Sequence, residues 1–243
     1  MKRIHQLDDN FFEAINSESA AYFLGFIYAD GNVYSSKKWN SSVLTITQSQ
    51  KDVDILYLFK KHIKSDKDIR KIIIGGKDYF EMSINSVKLC SDLKKHGVVE
   101  NKSLILTFPD FIDEDLMHHF IRGYFDGDGC IWEGKRKKMI VKDLSRKDGI
   151  RERIIHNVKI TFTGSNTFIP FLQEYLISVI GLPKTKLNYS KSKTEHKHCV
   201  MEYSGRKNIL SMYNFMYKNA TCFSKRKKDK FEDILRHESN CNI

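Results

Sequence analysis

Cysteine is scarce in this sequence and is not arranged in pairs. Five cysteines are scattered over 243 residues, an odd number, and no Cys-x-x-Cys spacing occurs. A disulfide framework needs paired cysteines, and a structural zinc site needs closely spaced ligands. The sequence therefore argues against both kinds of cross-link as the basis of its fold.

Long apolar runs are missing as well. No segment approaches the roughly 18 uncharged apolar residues of a membrane-spanning helix. The first nine residues, MKRIHQLDD, lack the apolar centre of a signal peptide. We expect a protein that is not secreted and that has no membrane partner.

Acidic residues are outnumbered by basic ones. Lysine and arginine total 41 against 30 aspartates and glutamates, which gives a net charge of +11. This surplus favours a polyanionic partner, either nucleic acid or an acidic membrane surface. Because 41% of the residues are hydrophobic, we predict a folded chain with one large domain or two small ones.

The chain contains a weak internal repeat. Residues 23–31 read FLGFIYADG, and residues 121–129 read IRGYFDGDG. Each segment precedes an alternating strand pattern, SVLTIT at 42–47 and VKITFT at 158–163. Both strand patterns lead into amphipathic helix patterns, which Ser49 and Ser165 are predicted to cap. The sequence thus predicts two copies of one structural unit.

Each copy is predicted to continue with two strands and a further helix. We expect these elements at about 68–74, 79–84 and 87–95 in the first copy, and at about 185–191, 198–204 and 207–217 in the second. The predicted fold class is α+β, a duplicated αββαββα unit. We expect an N-terminal half at 1–113 and a C-terminal half at 114–243, the latter with a basic insertion at 133–156 and an additional C-terminal helix.

The repeated segments are predicted to be helices that meet closely. Small residues four positions apart let two helix backbones approach each other. The two such pairs are Gly25 with Ala29, and Gly123 with Gly127. Gly31 and Gly129 are expected in the left-handed conformation that often follows a helix end.

Asp30 and Asp128 are unusual at the ends of such helices. A carboxylate there faces the negative end of the helix dipole, which typically costs about 0.3–1 kcal/mol. Two parallel helices side by side would also bring the carboxylates together, so that they repel. The matched aspartates therefore indicate a compensating cation, and Mg²⁺ prefers carboxylate, water and phosphate oxygens as ligands. Such ions promote phosphodiester hydrolysis.

At residues 23–31 and 121–129 the chain resembles the LAGLIDADG homing endonucleases in their single-chain, two-motif form. Both copies keep the glycine, the small residue and the final Asp-Gly of the signature, whereas Tyr28 departs from it where an acidic residue is common. The resemblance implies a pseudo-twofold monomer in which the two motif helices pack at the centre. Two antiparallel sheets would form a saddle over the DNA major groove. The implied location is the cytoplasm, for a bacterial or phage protein, or an organelle.

The resemblance also implies an activity and a metal site. The activity is site-specific cleavage of a long, asymmetric site in double-stranded DNA, with one phosphodiester hydrolysed per strand and short 3′ overhangs left. The implied cofactor is Mg²⁺ or Mn²⁺. Asp30 and Asp128 would bind it, assisted by the backbone carbonyls of Ala29 and Gly127.

Further catalytic residues are implied around the metal. Gln48 matches a polar residue that orders water in the family. The second half has Gly164 at this place, so the equivalent is missing or replaced by Ser165. Lys102 and Lys227 match lysines that lie near the scissile phosphates.

Strand alternation predicts which side chains face the DNA. If Leu44, Ile46, Ile160 and Phe162 pack under the helices, their neighbours point outward. Polar and basic side chains there would read base edges or hold phosphates. The predicted DNA-binding residues are Tyr34, Ser36, Lys38, Asn40 and Thr45 in the first half, and Trp132, Arg136, Lys138, Lys159 and Thr161 in the second.

Two other functions are compatible with the motifs. An RNA maturase would keep them and bind intron RNA. A non-catalytic DNA-binding regulator would use the same scaffold but lose an acid, and the presence of both Asp30 and Asp128 argues against it. The basic run at 225–230, KRKKDK, is interpreted as a helix start that contacts phosphate rather than as a nuclear localisation signal.

Overall fold

The computed structural model of this protein has an α+β fold, as the sequence predicts. Two four-stranded antiparallel sheets are covered by helices. At 135–141, 150–156 and 237–239 only the backbone is described. The described residues as a whole are 5–36, 38–102, 105–141, 150–190 and 198–239.

The first copy of the repeat follows the predicted order of elements. Ser17 starts its first helix, because its hydroxyl accepts a hydrogen bond from the amide of Ala20 at 3.3 Å. A short 3-10 helix, Gln50–Asp52, separates the second strand from the second helix. The elements are α1 Glu18–Asp30, β1 Gly31–Ser36, β2 Ser41–Ser49, α2 Asp54–His62, β3 Arg70–Ile74, β4 Lys77–Asn85 and α3 Val87–Lys95.

The second copy repeats this order and adds one helix. Its elements are α4 Glu114–Asp128, β5 Cys130–Val141, β6 Ile150–Ser165, α5 Ile169–Ile180, β7 Asn188–Tyr189, β8 His198–Ser204, α6 Arg206–Tyr217 and the additional α7 Lys225–Ser239. The predicted basic insertion lengthens β5 and β6, and its residues 142–149 lie outside the described residues.

The two sheets have the same topology. Their strand orders are β1-β2-β4-β3 and β5-β6-β8-β7, with antiparallel neighbours throughout. The inner face of each sheet is apolar and buried, and it includes Leu44 and Ile46 in β2 and Ile160 and Phe162 in β6. The alternation predicted for these two strands is therefore confirmed.

The helices α1 and α4 pack backbone against backbone at the centre of the molecule. A methyl group built on Gly25 would lie 2.0 Å from the carbonyl oxygen of Phe120. In the equivalent contact, a methyl group on Gly123 would lie 1.9 Å from the carbonyl oxygen of Tyr22. Only glycine leaves room for this approach, so the predicted close helix contact is present. None of the helices in the described part of the chain is long and apolar enough to cross a membrane.

The conformations predicted for the two glycines that follow the motif helices are wrong. Gly31 and Gly129 have φ values of −79° and −81°, so both are extended rather than left-handed. Each motif helix passes directly into a strand, and glycine is needed because a Cβ would lie only 2.9 Å from the Ile27 carbonyl oxygen or 2.6 Å from that of Phe125.

The two predicted serine caps are also wrong. The Ser49 hydroxyl donates to the Asp52 carboxylate at 3.3 Å and caps no backbone amide. The Ser165 hydroxyl donates to the carbonyl oxygen of Leu106 at 2.6 Å, and α5 begins only at Ile169. In both cases the serine lies too early in the chain to reach the first turn of the α-helix.

Candidate active site

Asp30 and Asp128 lie together at the carboxyl ends of the paired helices. Asp30 is the last residue of α1, and Asp128 is the last residue of α4. The Asp30 carboxylate reaches across to α4, where its Oδ2 lies 3.4 Å from the position of a Cβ on Gly127, the neighbour of Asp128. The two acids therefore share one site at the pseudo-twofold axis.

The electrostatics of this site disfavour two negative charges. Burial raises the pKa of Asp30. Burial and, next, the charge of Asp30 raise the pKa of Asp128 to about 6. Asp128 nevertheless remains exposed to solvent at one side. Opposite charge placed beside both carboxylates would relieve this repulsion.

Gln48 holds one of the two carboxylates. It ends the buried face of β2, is only 9% exposed, and donates from Nε2 to Asp30 Oδ2 at 2.7 Å. This hydrogen bond lowers the pKa of Asp30 against the larger effect of burial. The structure thus brings Gln48 into the site.

The second half has no side chain in the corresponding place. A Cβ on Gly164 would lie 2.4 Å from the hydroxyl oxygen of Tyr124, which fills the space. Ser165 does not replace the missing side chain, because its hydroxyl is fully buried and donates to Leu106. Of the two alternatives for this position, the structure supports a missing equivalent.

Lys227 lies beneath the end of α4. The residue is 4% exposed, and its ammonium group donates to the carbonyl oxygens of Phe125 at 2.6 Å, Asp126 at 2.7 Å, Gly127 at 3.0 Å and Gly129 at 2.7 Å. Burial lowers its pKa. Lys227 therefore supplies positive charge at the negative end of the helix dipole.

Lys102 occupies a similar position beneath α1. It is 6% exposed and donates to the carbonyl oxygen of Gly31, with a longer contact of 3.5 Å to that of Ala29. Burial lowers its pKa, while Asp128 and Asp30 act in the opposite direction. The carbonyls of Ala29 and Gly127, which we expected to face a metal, are thus already approached by lysines.

A buried charge network lies near the site, at residues that were not predicted from the sequence. Asp126 is buried and accepts hydrogen bonds from Tyr217 at 2.6 Å, Tyr22 at 2.8 Å and the amide of Ser224 at 2.6 Å. Burial raises its pKa, and these donors oppose the rise. In the sequence, the sign of this network is that Asp126 occupies the motif position at which the first copy has Tyr28.

Arg122 is a second residue that the sequence reading missed. It is fully buried within α4 and donates to Glu18 at 2.7 Å, to the Cys222 carbonyl at 2.7 Å and to the Met216 carbonyl at 2.7 Å. It ties the start of α1 to the segment between α6 and α7. An arginine inside an apolar helix pattern was the only sign of this role.

The donors at the centre suit a hard divalent ion. Across the residues that the structure describes, no group of three or more histidine, cysteine, aspartate or glutamate side chains forms a metal cluster. Two adjacent carboxylates with raised pKa values and nearby carbonyl oxygens are nevertheless the oxygen donors that Mg²⁺ accepts, with water or phosphate completing the shell. The residues present therefore fit Mg²⁺ held jointly with a phosphate-bearing ligand.

The first sheet presents part of the predicted DNA-binding set on its outer face. Tyr34 is 58% exposed, and Ser36 and Thr45 are half-buried on β1 and β2. Lys38 and Asn40 are exposed but lie in the turn after β1, so strand alternation does not place them. The predicted phase holds only as far as Ser36.

The second sheet presents an exposed aromatic residue at the equivalent position. Trp132 is 50% exposed and lies over Gly134, where a Cβ would come within 2.1 Å of its ring. Lys159 lies beside it in the register and pairs with Glu202 at 2.8 Å, while Thr161 follows two positions later. The side chains of Arg136 and Lys138 lie outside the described residues, although their backbone belongs to β5.

The basic run at 225–230 lies at the start of α7, as interpreted from the sequence, and its contact with phosphate stays a prediction. Lys225 pairs with Asp229 at 2.5 Å, and Lys230 with Glu133 at 3.6 Å. Arg226 makes a bidentate contact with Asp52 at 2.7 and 3.1 Å. Because Lys227 is buried, most of the run serves contacts within the chain.

Comparisons with known proteins identify the fold. No family model matches the sequence, and no curated protein does. Among solved structures, I-LtrWI, a LAGLIDADG homing endonuclease bound to target DNA, is similar at a TM-score of 0.56 and 11% identity, over 96% of this chain and 92% of that one. The LAGLIDADG meganuclease I-AabMI, bound to uncleaved DNA, is similar at a TM-score of 0.55 and 14% identity, over 90% of this chain and 91% of that one. The LAGLIDADG meganuclease I-CpaMI, also bound to uncleaved DNA, is similar at a TM-score of 0.54 and 12% identity, over 91% of this chain and 92% of that one.

Proposed function

For a chain with the fold of the LAGLIDADG homing endonucleases, we propose site-specific cleavage of double-stranded DNA. The observation that carries this proposal is the meeting of Asp30 and Asp128 between two sheets of equal topology. One carboxylate from each half suits a substrate with two strands. The chain would act as a monomer, since it supplies both halves itself.

The proposed cofactor is Mg²⁺ or Mn²⁺, held by Asp30 and Asp128. When bound, such an ion activates water and stabilises the leaving oxygen in phosphodiester hydrolysis. Ala29 and Gly127 offer carbonyl oxygens beside the two acids, and a carbonyl has a second lone pair besides the one that a lysine occupies.

The buried lysines would keep this acidic centre intact before DNA arrives. Lys102 and Lys227 place positive charge next to carboxylates that repel each other. Gln48 fixes the orientation of Asp30 by its hydrogen bond. The chain therefore holds its reactive groups in position by contacts of its own, which reduces the ordering needed when substrate binds.

The outer faces of the two sheets are the proposed DNA-binding surface. They carry Tyr34, Thr45, Trp132, Lys159 and Thr161 on either side of the paired acids. Side chains on such a surface can enter the major groove and contact base edges. The acids would then act across the minor groove on one phosphodiester per strand and leave short 3′ overhangs.

Cleavage of a randomised duplex library tests the function. The full chain is incubated with the library in Mg²⁺, with parallel reactions in Mn²⁺ and in Ca²⁺, and the cut ends are sequenced. We expect a single family of long, asymmetric sites, cut on both strands with a short 3′ overhang, in Mg²⁺ and Mn²⁺ and not in Ca²⁺.

Binding measurements separate the alternatives. Recovery of bound duplex in Ca²⁺ without any cutting in Mg²⁺ would favour a DNA-binding regulator. Preference for a structured intron RNA over duplex DNA would favour a maturase. Either result would contradict the nuclease proposal.

A further inference from the structure

The two halves of the candidate site can be compared position by position. In the strand register, Asn32 pairs with Thr45 in the first sheet, and Cys130 pairs with Thr161 in the second. Asn32 and Cys130 each lie two residues after the motif aspartate, so Thr45 and Thr161 are equivalent. Counting three residues further along each strand makes Gln48 equivalent to Gly164. The motif itself makes Phe26 equivalent to Tyr124.

The first half combines Phe26 with Gln48. Phe26 is fully buried and brings no polar atom, so the space at the end of β2 is free for the Gln48 side chain. The Gln48 amide uses that space to donate to Asp30 Oδ2 at 2.7 Å. One oxygen of this carboxylate is therefore held in a fixed direction.

The second half combines Tyr124 with Gly164. The Tyr124 hydroxyl stands where a side chain at 164 would begin, 2.4 Å from its Cβ. Its single proton is donated to the carbonyl oxygen of Thr163 at 2.7 Å. Neither residue can therefore donate to Asp128, and no hydrogen bond to the Asp128 carboxylate comes from any other described residue.

We propose that this difference makes cleavage ordered: the strand attacked at Asp30 is cut first, and the strand attacked at Asp128 follows. This inference rests on the proposed function. A carboxylate that is already oriented needs less ordering to reach the transition state than a free one. Gly164 has no side chain, and the Tyr124 hydroxyl is already bonded to Thr163. No side-chain rotation at these two positions can therefore supply an amide to Asp128.

The chemistry of each cut is the same hydrolysis. The oxygen of water forms a bond to phosphorus as the bond from phosphorus to the 3′ oxygen breaks. One proton of the water ends on the leaving 3′ oxygen, and the other is released to solvent. The first cut yields a nicked duplex, which is the intermediate that ordered cleavage predicts.

The test follows both strands of a supercoiled plasmid that carries a site recovered from the library. In Mg²⁺, nicked circles should accumulate before linear DNA. End labels on each strand should show that one strand is cut at least about tenfold faster, the factor that about 1.4 kcal/mol of transition-state stabilisation provides. Equal rates on the two strands would overturn the inference, whereas no cutting of either strand would instead reject the nuclease function.

Two variants assign the fast strand to a half of the site. Gln48→Ala should slow the fast strand at least about tenfold and leave the slow strand unchanged. The double variant Tyr124→Phe with Gly164→Gln gives the second half the residue pair of the first. A Cβ at 164 would still lie 3.1 Å from the Ile169 side chain, which must shift by a few tenths of an ångström to admit it. The variant should speed up the slow strand. Equal slowing of both strands by Gln48→Ala, or slowing of the slow strand alone, would overturn the assignment.

The ratio of the two strand rates makes the test independent of folding losses. A variant that is partly unfolded loses both rates together and keeps their ratio. Gln173→Ala is the matched control, because Gln173 is also buried but bonds to Thr185, away from the two acids. Its strand preference should equal that of the unaltered protein. A shift in that preference would show that Gln48→Ala acts non-specifically and would overturn the assignment.

Discussion

Asp128 carries an electrostatic cost that the fold tolerates. Its pKa is raised to about 6 by burial and by the charge of Asp30. A carboxyl group whose pKa is higher in the folded chain than in the unfolded chain binds more protons when folded. Its contribution to stability is therefore lost as the pH rises from about 4, the ordinary value, to about 6.

Replacing this group should make the protein more stable at neutral pH. In the absence of divalent ions, Asp128→Asn should raise the free energy of unfolding at pH 7.5 by about 1 kcal/mol, a figure discounted for the solvent exposure of Asp128. The gain should shrink as the pH falls through about 6 and vanish below about pH 4, where Asp128 is protonated in both the folded and the unfolded chain. Urea denaturation at a series of pH values measures this, and a variant less stable than the parent at pH 7.5 would contradict the electrostatic account.

The same residues should be indispensable for the proposed chemistry. Asp30→Asn and Asp128→Asn should each reduce double-strand cleavage by at least about 1,000-fold, because each removes a carboxylate from the proposed ion. DNA affinity in Ca²⁺ should change little. Plasmid linearisation and fluorescence anisotropy provide the two readouts, and full cutting by either variant would refute the metal assignment.

At this scale, the sequence predicts residues whose position follows from a motif or a strand phase. Asp30, Asp128 and Gln48 come together because the repeat fixes the helix ends and β2 fixes the glutamine. Arg122 and Tyr124 could not be predicted, since their partners lie about 40 to 100 residues away in the chain. Such contacts depend on how the elements pack and leave no local pattern.

The order and type of the elements agree with the sequence prediction better than their end points do. Alternation and helical periodicity predict all strands and helices of the αββαββα unit in the right order. The boundaries differ where tertiary contacts decide them. β7 shrinks to Asn188–Tyr189, and the glycines after the motif helices are extended because each helix runs straight into a strand.

The contact between α1 and α4 should be the most sensitive packing feature. Gly25→Leu or Gly123→Leu would force the helices apart, since even a methyl group lies about 2 Å from a backbone oxygen of the other helix. We expect a loss of at least about 3 kcal/mol in unfolding free energy. Thermal denaturation measures it, with Ser178→Leu on the exposed face of α5 as the control that should stay within about 0.5 kcal/mol. A native melting temperature for Gly25→Leu would contradict the close packing.

At the scale of the whole molecule, the contribution of an exposed aromatic residue to DNA affinity should depend on which face it lies on, more than on how exposed it is. Trp132 on the outer face of the second sheet is 50% exposed, and Phe171 on α5 is 63% exposed. Trp132→Ala should weaken DNA binding by about 1–2 kcal/mol, because the sheet face is the proposed interface. Phe171→Ala should leave affinity unchanged. Titration of a recovered site in Ca²⁺ by anisotropy compares them, and equal effects of the two substitutions would place the DNA elsewhere.

The segment after α6 belongs to the second half in sequence but not in its contacts. Arg226 at the start of α7 grips Asp52, and Thr221 and Cys222 donate their amides to Glu18 at the start of α1. A hybrid protein assembled by joining residues 1–113 to the second half of a structurally similar protein would lose these contacts. Recombination of such halves should therefore keep Glu18 and Asp52 together with their partners in the second half. The boundary between the halves is defined by these contacts as well as by a position in the chain.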